Sequence, residues 1–360
     1  MTRILLTLGR LERGGAEMRL LQLLAETRKR NAGIAPTVFL VSGEHGALDD
    51  AYRAAGARLI YGAPGVLGLW HLYRVCRQER PDIVHANVLL ASGFHLFAAW
   101  LAGVGTRIAH MRNTDYGRND WLFRRRNDIF RLFLNTFSTR IVGVCDAARP
   151  FASASPSRWL TIYNGLDTTL APQADTARSE RSRDELQIVF LGRLHPQKNP
   201  VRAVDIMAAV KRLTDGQFSL KIHGRRVEPL NSAVVTRIRD LGLGAQVEVC
   251  GETEAPLAAL HAADVLLLTS MHEGLPGVVL EALSCGTPVV TSAVPGAIEI
   301  ARFCEGVSVV DLAQNDEAWA RALISAARAD RTRIAKSFRN SPFTFERHYT
   351  MMMSLWKSEI

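Results

Sequence analysis

The stretch Met271–Val290, MHEGLPGVVLEALSCGTPVV, constrains the fold of this chain more than any other. Upstream of it, Asp264–Thr269 (DVLLLT) is a continuous apolar run, the pattern of a strand buried on both faces. Downstream, Gly286 ends a short helix and Pro288–Thr291 opens another strand. Strand, loop, helix, strand is the parallel α/β unit. Its loop lies at the carboxyl end of a strand, where open parallel sheets bind ligands. The helix start offers free N–H groups and the positive end of its dipole, which suits a diphosphate. Glu273 in the loop and Glu281 one turn into the helix repel phosphate, but each can hold a vicinal diol with two oxygens. Diphosphate plus diols is the chemistry of a nucleotide sugar. Taken alone, two glutamates at this spacing also describe a loop charge and a solvated helix position. The sugar-nucleotide reading therefore leans on the flanking glycines and prolines and on the rest of the chain.

At 360 residues the chain exceeds one ordinary core, and two domains are expected. Thr169–Glu185 (TLAPQADTARSERSRDE) is polar and nearly free of large apolar residues, so it reads as a linker. That division gives an N-terminal domain at 1–168, a C-terminal domain at 186–340 and a final helix at 341–360 able to cross back to the first domain. Short apolar runs alternate with amphipathic segments on both sides. Strands are expected at Arg3–Leu8, Thr37–Val41, Arg58–Tyr61, Asp82–His85, Arg107–His110, Arg140–Val144 and Trp159–Tyr163. In the second half they are expected at Gln187–Leu191, Ser219–His223, Gln246–Cys250, Asp264–Thr269, Pro288–Thr291 and Val307–Val310. Helical spacing lies between them, as in Ala16–Thr27 and Val201–Leu213. Repeated β-α-β on both sides of one linker predicts two Rossmann-like, doubly wound parallel sheets facing a central cleft.

Composition removes several classes of function. No apolar run approaches the ~20 residues that span a bilayer. The N-terminus, MTRILLTLGRL, reads as a strand and not as a signal peptide. The five cysteines are scattered and never spaced C-x-x-C, which points to a reducing compartment without disulfides or zinc, and hence to the cytosol. Charge is uneven. Residues 1–168 carry 22 Lys and Arg against 13 Asp and Glu, whereas 169–360 carry 22 of each. The basic half should face an anionic partner: membrane lipid, a lipid-linked phosphate or nucleic acid. No nucleic-acid-binding motif accompanies it, so nucleic acid is set aside. The segment Arg118–Arg140 (RNDWLFRRRNDIFRLFLNTFSTR) interleaves Trp121, Phe123, Phe130, Phe133 and Phe137 with Arg124, Arg125, Arg126 and Arg131. Such a helix suits an anionic membrane surface. The same pattern describes a core-packed helix with solvated arginines, and both hold if Ile129–Phe137 packs inside while Trp121–Arg126 stays exposed.

The second half opens with Ile188–Pro200, IVFLGRLHPQKNP. A buried strand ends at Gly192, and Arg193 and Lys198 follow in a loop containing Pro196. Burial requires no cation beside a strand end. A departing diphosphate does, because charge builds on its oxygens as the bond to the sugar breaks. Arginine can grip it with two donors and lysine acts as a point charge. Two solvated loop cations remain the alternative for this pair alone.

GRLHPQK followed by EGLPGVVLEALSCGTPVV resembles the retaining glycosyltransferases of family four ("glycosyl transferases group 1"), which have two Rossmann-like domains of the GT-B type. The likeness runs through most of the chain. Arg10–Glu17 (RLERGGAE) resembles the family's first glycine-rich loop, and PDIVHAN at Pro81–Asn87 and IYNGLD at Ile162–Asp167 match its other recurrent stretches. The resemblance implies that Arg193 and Lys198 bind the donor diphosphate, that Glu273 stands near the transferred sugar's hydroxyls, and that Glu281 holds the ribose diol. It implies backbone contacts to the donor at Gly192, Gly274, Leu275 and Pro276, with Gly14 and Gly15 in the loop that closes over the site. It places His110, within RIAHMRN, near the donor sugar and acceptor; a strand-end structural role is the other reading of that histidine.

Two departures bear on nucleotide preference. Gly224-Arg225-Arg226-Val227-Glu228 stands where the family often has G-x-G-x-E, and Pro295-Gly296-Ala297-Ile298-Glu299 stands where many members have a Gly-Gly pair before a glutamate. No D-x-D metal signature follows a strand, so no metal and no cofactor are expected, the two cations replacing a metal at the phosphates. The reaction implied is transfer, with retention, from a UDP- or GDP-sugar to a lipid-linked or glycan acceptor in surface polysaccharide assembly, at or near the membrane. The alternative is a sugar-nucleotide epimerase or hydrolase of the same architecture, which needs no acceptor. Oligomeric state is not legible.

Overall fold

A computed structural model of the chain describes residues 1–114, 120–170, 185–215 and 217–357. Most of the expected linker, residues 171–184, lies outside the described residues. The chain divides into two compact units, Met1–Asn164 with Arg347–Ile360, and Gly165–Glu346.

The N-terminal unit is built on seven strands: β1 (Thr2–Leu8), β2 (Ile34–Leu40), β3 (Arg58–Tyr61), β4 (Ile83–Ala86), β5 (Thr106–Met111), β6 (Arg140–Gly143) and β7 (Trp159–Thr161). They pair in parallel in the order β3-β2-β1-β4-β5-β6-β7. The C-terminal unit has six: β8 (Leu186–Leu191), β9 (Phe218–His223), β10 (Val247–Gly251), β11 (Val265–Leu268), β12 (Val289–Ser292) and β13 (Val307–Val310). Their order is β10-β9-β8-β11-β12-β13, again all parallel. Each unit is thus a doubly wound parallel sheet, and every strand expected from the sequence falls on one of these within a few residues. β2 starts three residues before its expected place because Pro36 is tolerated there. At that position only β1 lies alongside, since pairing with β3 begins at Thr37.

Apolar runs make these strands because they are covered on both faces. All of Val265–Leu268 is buried, and so are Ile188, Val189 and Phe190 of the neighbouring β8. Helix Pro200–Leu213 adds Ala203, Val204, Ile206, Met207 and Val210 to the same core. Each large side chain so buried contributes about 1.5–3 kcal/mol.

In the N-terminal unit, helix Trp121–Phe137 begins at Asp120, whose Oδ1 accepts the Phe123 N–H at 3.0 Å. Its Phe130 and Phe133 rings meet Phe94 of helix Ser92–Leu101, at centroid distances of 5.0 and 4.4 Å, and Leu134 is buried. The expected split by length is corrected: Ile129 and Leu132 are exposed together with Trp121 and Leu122. Burial follows the face of the helix, as a period of 3.6 demands, and not its first or second half. Among the described residues, which include all five cysteines, no disulfide forms. Among the described residues no helix is long and apolar enough to cross a membrane.

Candidate active site

In the C-terminal unit the winding direction reverses between β8 and β11, which is where a parallel sheet opens a crevice at its strand ends. The loops leaving these two strands carry the expected residues and are laced together. Met271 N–H donates to the Gln197 carbonyl at 2.7 Å, and Gln197 Nε2 donates to the His272 carbonyl at 2.8 Å. Thr269 Oγ1 donates to the carbonyls of Asn199 and Lys198 at 2.8 and 3.1 Å. Lys198 ends the single 3₁₀ turn Pro196–Lys198, and Asn199 turns the chain, at φ +50°, into helix Pro200–Leu213.

Lys198 Nζ and Glu273 Oε1 stand 2.5 Å apart, and Ser270 Oγ donates to the same oxygen at 2.9 Å. Their side chains keep only 17% and 12% of their exposure. Sequence reading gave these residues separate roles; the fold makes them one ion pair. Removing one partner of so enclosed a pair strands the other charge, at a cost of about 3–5 kcal/mol. Ser270 and Gln197 are the contributors that sequence reading missed, since a serine and a glutamine in loops carry no signal of their own.

Gly274, Leu275 and Pro276 are buried, and Pro276 caps helix Gly277–Ser284. The Gly274 carbonyl is pressed against Gly296 in the first turn of helix Pro295–Phe303, where a Cβ would collide with that oxygen. The lone glycine of the PGAIE segment therefore seats the loop carrying Glu273. Glu281 lies half-buried one turn into helix Gly277–Ser284. Arg193 is exposed, beside Gly192 at the end of β8. Gly224 packs directly on the Gly192 carbonyl, and the Leu194 N–H donates to the Arg225 carbonyl at 3.0 Å. Arg225 and Arg226 are both exposed, and Arg226 Nη2 donates to the Val249 carbonyl at 2.9 Å. The departure from the glycine-rich pattern thus puts two further arginines in the loop packed against Gly192 and Arg193. Among the described residues no three His, Cys, Asp or Glu side chains gather where they could hold a metal ion.

The other expected residues are in the N-terminal unit. Gly14 is the N-cap of helix Gly15–Lys29, and the Glu17 carboxylate folds back against it; Gly15 is exposed with open space around its α-carbon. His110, on β5, is fully buried. Its Nδ1 lies 3.2 Å from His85 Nε2, with the two ring planes 4° apart, while the Trp356 indole N–H donates to His85 Nδ1 at 3.0 Å. Burial holds the His85 imidazole down at about 3, and burial together with the Arg112 charge holds His110 well below its ordinary value. Both rings are therefore neutral at pH 7. Arg112 donates from Nε and Nη2 to Asn87 Oδ1 at 3.1 and 3.0 Å.

Comparison with known proteins identifies the family and the fold. The family described as "Glycosyl transferases group 1" matches residues 173–340, and "Glycosyltransferase Family 4" matches residues 13–170. The capsular polysaccharide biosynthesis glycosyltransferase CapH of Staphylococcus aureus is 24% identical over 309 residues, covering 84% of each chain. The UDP-Gal:alpha-D-GlcNAc-diphosphoundecaprenol alpha-1,3-galactosyltransferase of Escherichia coli is 26% identical over 271 residues, 69% of this chain and 68% of that one. The crystal structure of Anabaena Alr3699/HepE in complex with UDP superposes with a TM-score of 0.82 over 99% of this chain and all of its own, at 18% identity. With both sheets, both family matches and these relatives in agreement, the chain belongs to the glycosyl transferases group 1 family and has the GT-B fold.

Proposed function

We propose that this glycosyltransferase takes a sugar from a UDP- or GDP-sugar, with retention and without a metal, and passes it to a lipid-linked or glycan acceptor in surface polysaccharide assembly. The observation that carries the reading is the Lys198–Glu273 pair at the switch point of the C-terminal sheet, with exposed Arg193 at the neighbouring strand end. Lys198 and Arg193 meet the diphosphate, Glu273 the transferred sugar, and Glu281 the ribose. In the retaining step, the bond from the sugar's anomeric carbon to the phosphate oxygen breaks and a bond to the acceptor oxygen forms on the same face. The acceptor's proton passes to an oxygen of the departing phosphate. Support comes from relatives whose names state capsular polysaccharide synthesis and UDP-galactose transfer to a diphosphoundecaprenol-linked sugar, and from a neighbour in complex with UDP. A thermal-shift screen of UDP- and GDP-sugars tests it, since a donor at about 100 times its dissociation constant adds about 2.7 kcal/mol. Stabilisation by one donor, with turnover only when acceptor is present, is the expected result. Donor consumed equally without acceptor identifies an epimerase or hydrolase, and no response to any donor removes the nucleotide-sugar site.

We also propose that the enzyme works in the cytosol, on the anionic inner face of the plasma membrane. Helix Trp121–Phe137 exposes Trp121, Leu122, Ile129 and Leu132 beside Arg124, Arg125 and Arg126, and helix Ser92–Leu101 exposes Trp100 and Leu101. Each cation near an anionic surface contributes about 1 kcal/mol, fading within a Debye length. Replacing Arg124, Arg125 and Arg126 with serine should release the protein from anionic vesicles in co-sedimentation without lowering its melting temperature, and added salt should do the same to the parent. Full retention of the triple variant on the vesicles would show that another face makes the contact.

A further inference from the structure

The pairing of β8 with β9 does not stop where the strands do. Its register sets Leu191 opposite His223. Beyond that pair, the Gly192 N–H donates to the His223 carbonyl at 2.9 Å and the Leu194 N–H to the Arg225 carbonyl at 3.0 Å. The same offset thus continues past the strand ends and brings Arg193 alongside Arg225. Gly224 permits the close approach, since a Cβ there would lie 1.9 Å from the Gly192 carbonyl oxygen. Neighbouring parallel chains run about 4.8 Å apart, so two cationic residues stand side by side at the end of this sheet.

Like charges on neighbouring chains repel, and these two have no carboxylate to offset them. Both residues are exposed, and among the described residues neither side chain has a hydrogen bond or an ion pair. Other arginines of the same unit do: Arg202 pairs with Asp316, Arg237 with Asp205 and Arg333 with Glu305. The next residue, Arg226, is also engaged, its Nη2 donating to the Val249 carbonyl at 2.9 Å. Lys198 adds no net charge here, because Glu273 lies against it. The diphosphate of a sugar nucleotide carries one negative charge on each phosphate. Arg193 alone would leave one of them uncompensated.

We propose that Arg225 is a further diphosphate-binding residue, and that Arg193 and Arg225 together grip the two phosphates of the sugar-nucleotide donor. The bound anion cancels the repulsion between the guanidinium groups, and each group offers parallel N–H donors to phosphate oxygens. Arg226 stands outside this clamp, as a tether from the loop after β9 to the end of β10. Every residue of the clamp belongs to the unit Gly165–Glu346, at the carboxyl ends of adjacent strands, where parallel sheets bind ligands. Naming the sugar nucleotide as the source of the diphosphate rests on the function proposed above; the anion chemistry rests on the arginines alone.

Calorimetry and thermal shift on the full chain, with UDP, GDP and inorganic pyrophosphate as probes, test the clamp without any measurement of turnover. Arg225→Gln should weaken the diphosphate that binds by roughly 10- to 100-fold, the scale of one hydrogen bond to a charged group. Arg225→Lys, which keeps the charge and loses the fork, should recover part of that loss. Arg226→Gln should stay within a few-fold of the parent. Without ligand, Arg225→Gln should melt no lower than the parent, because a repulsion is removed and no contact is lost. Parental affinity in Arg225→Gln overturns the proposal. So does an equal loss in Arg226→Gln, the mark of a diffuse basic surface, and so does early melting of unliganded Arg225→Gln, the mark of a structural role. Failure of the donor reading looks different: pyrophosphate binds and is weakened by Arg225→Gln, while UDP and GDP bind no better than pyrophosphate. Silence to all three probes overturns both.

Discussion

Lys198→Ala is expected to lower turnover by roughly 10²-fold or more, the scale for losing one preorganised charge at a developing anion. Under the proposed role, in which Lys198 and Arg193 meet the diphosphate in place of a metal, the same assay should be indifferent to EDTA and to added Mg²⁺. The 2.5 Å contact between Lys198 and Glu273 adds a second expectation. Alanine at Lys198 leaves the Glu273 carboxylate enclosed, with the Ser270 hydroxyl still donating to it but without its lysine, so part of the loss will appear as lowered thermal stability. Pairing Lys198→Ala with Glu273→Gln should therefore restore stability relative to Lys198→Ala alone, while activity stays low. Near-parental turnover in Lys198→Ala, or abolition of the parent's activity by EDTA, would refute the phosphate role.

The two glutamates should separate cleanly in calorimetry. Glu281→Gln is expected to weaken free UDP or GDP by roughly 10- to 100-fold, since the proposed ribose diol loses hydrogen bonds to a charged acceptor. Glu273→Gln should leave free-nucleotide binding within a few-fold of the parent and reduce transfer, because its proposed partner is the sugar. The reverse order would mean that the assignments are exchanged. Equal, small effects in both would return the pair to loop and helix charges.

How much of this was legible in the sequence follows from what each feature depends on. Strands β8 and β11 are short and covered on both faces, so they read as unbroken apolar runs, and their ends marked the loops to inspect. Arg193, Lys198, Glu273 and Glu281 stood out because charge beside such a run needs a reason. Trp121–Phe137 was harder: its aromatic and apolar residues were visible, but assigning Ile129 inward required knowing which face meets Ser92–Leu101.

The sequence by itself determined the two doubly wound sheets, the family and the residue types at the proposed donor loops, because these rest on local periodicity and on motifs a few residues long. Only the tertiary structure decided which of those residues touch. Lys198 and Glu273 are 75 positions apart and meet because β8 and β11 are neighbours in the sheet although two strands separate them in the chain. His85 and Trp356 are 271 positions apart, and nothing in either segment announces the other. Hydrogen bonds and ion pairs are short-range, so their partners are chosen by strand order and helix docking.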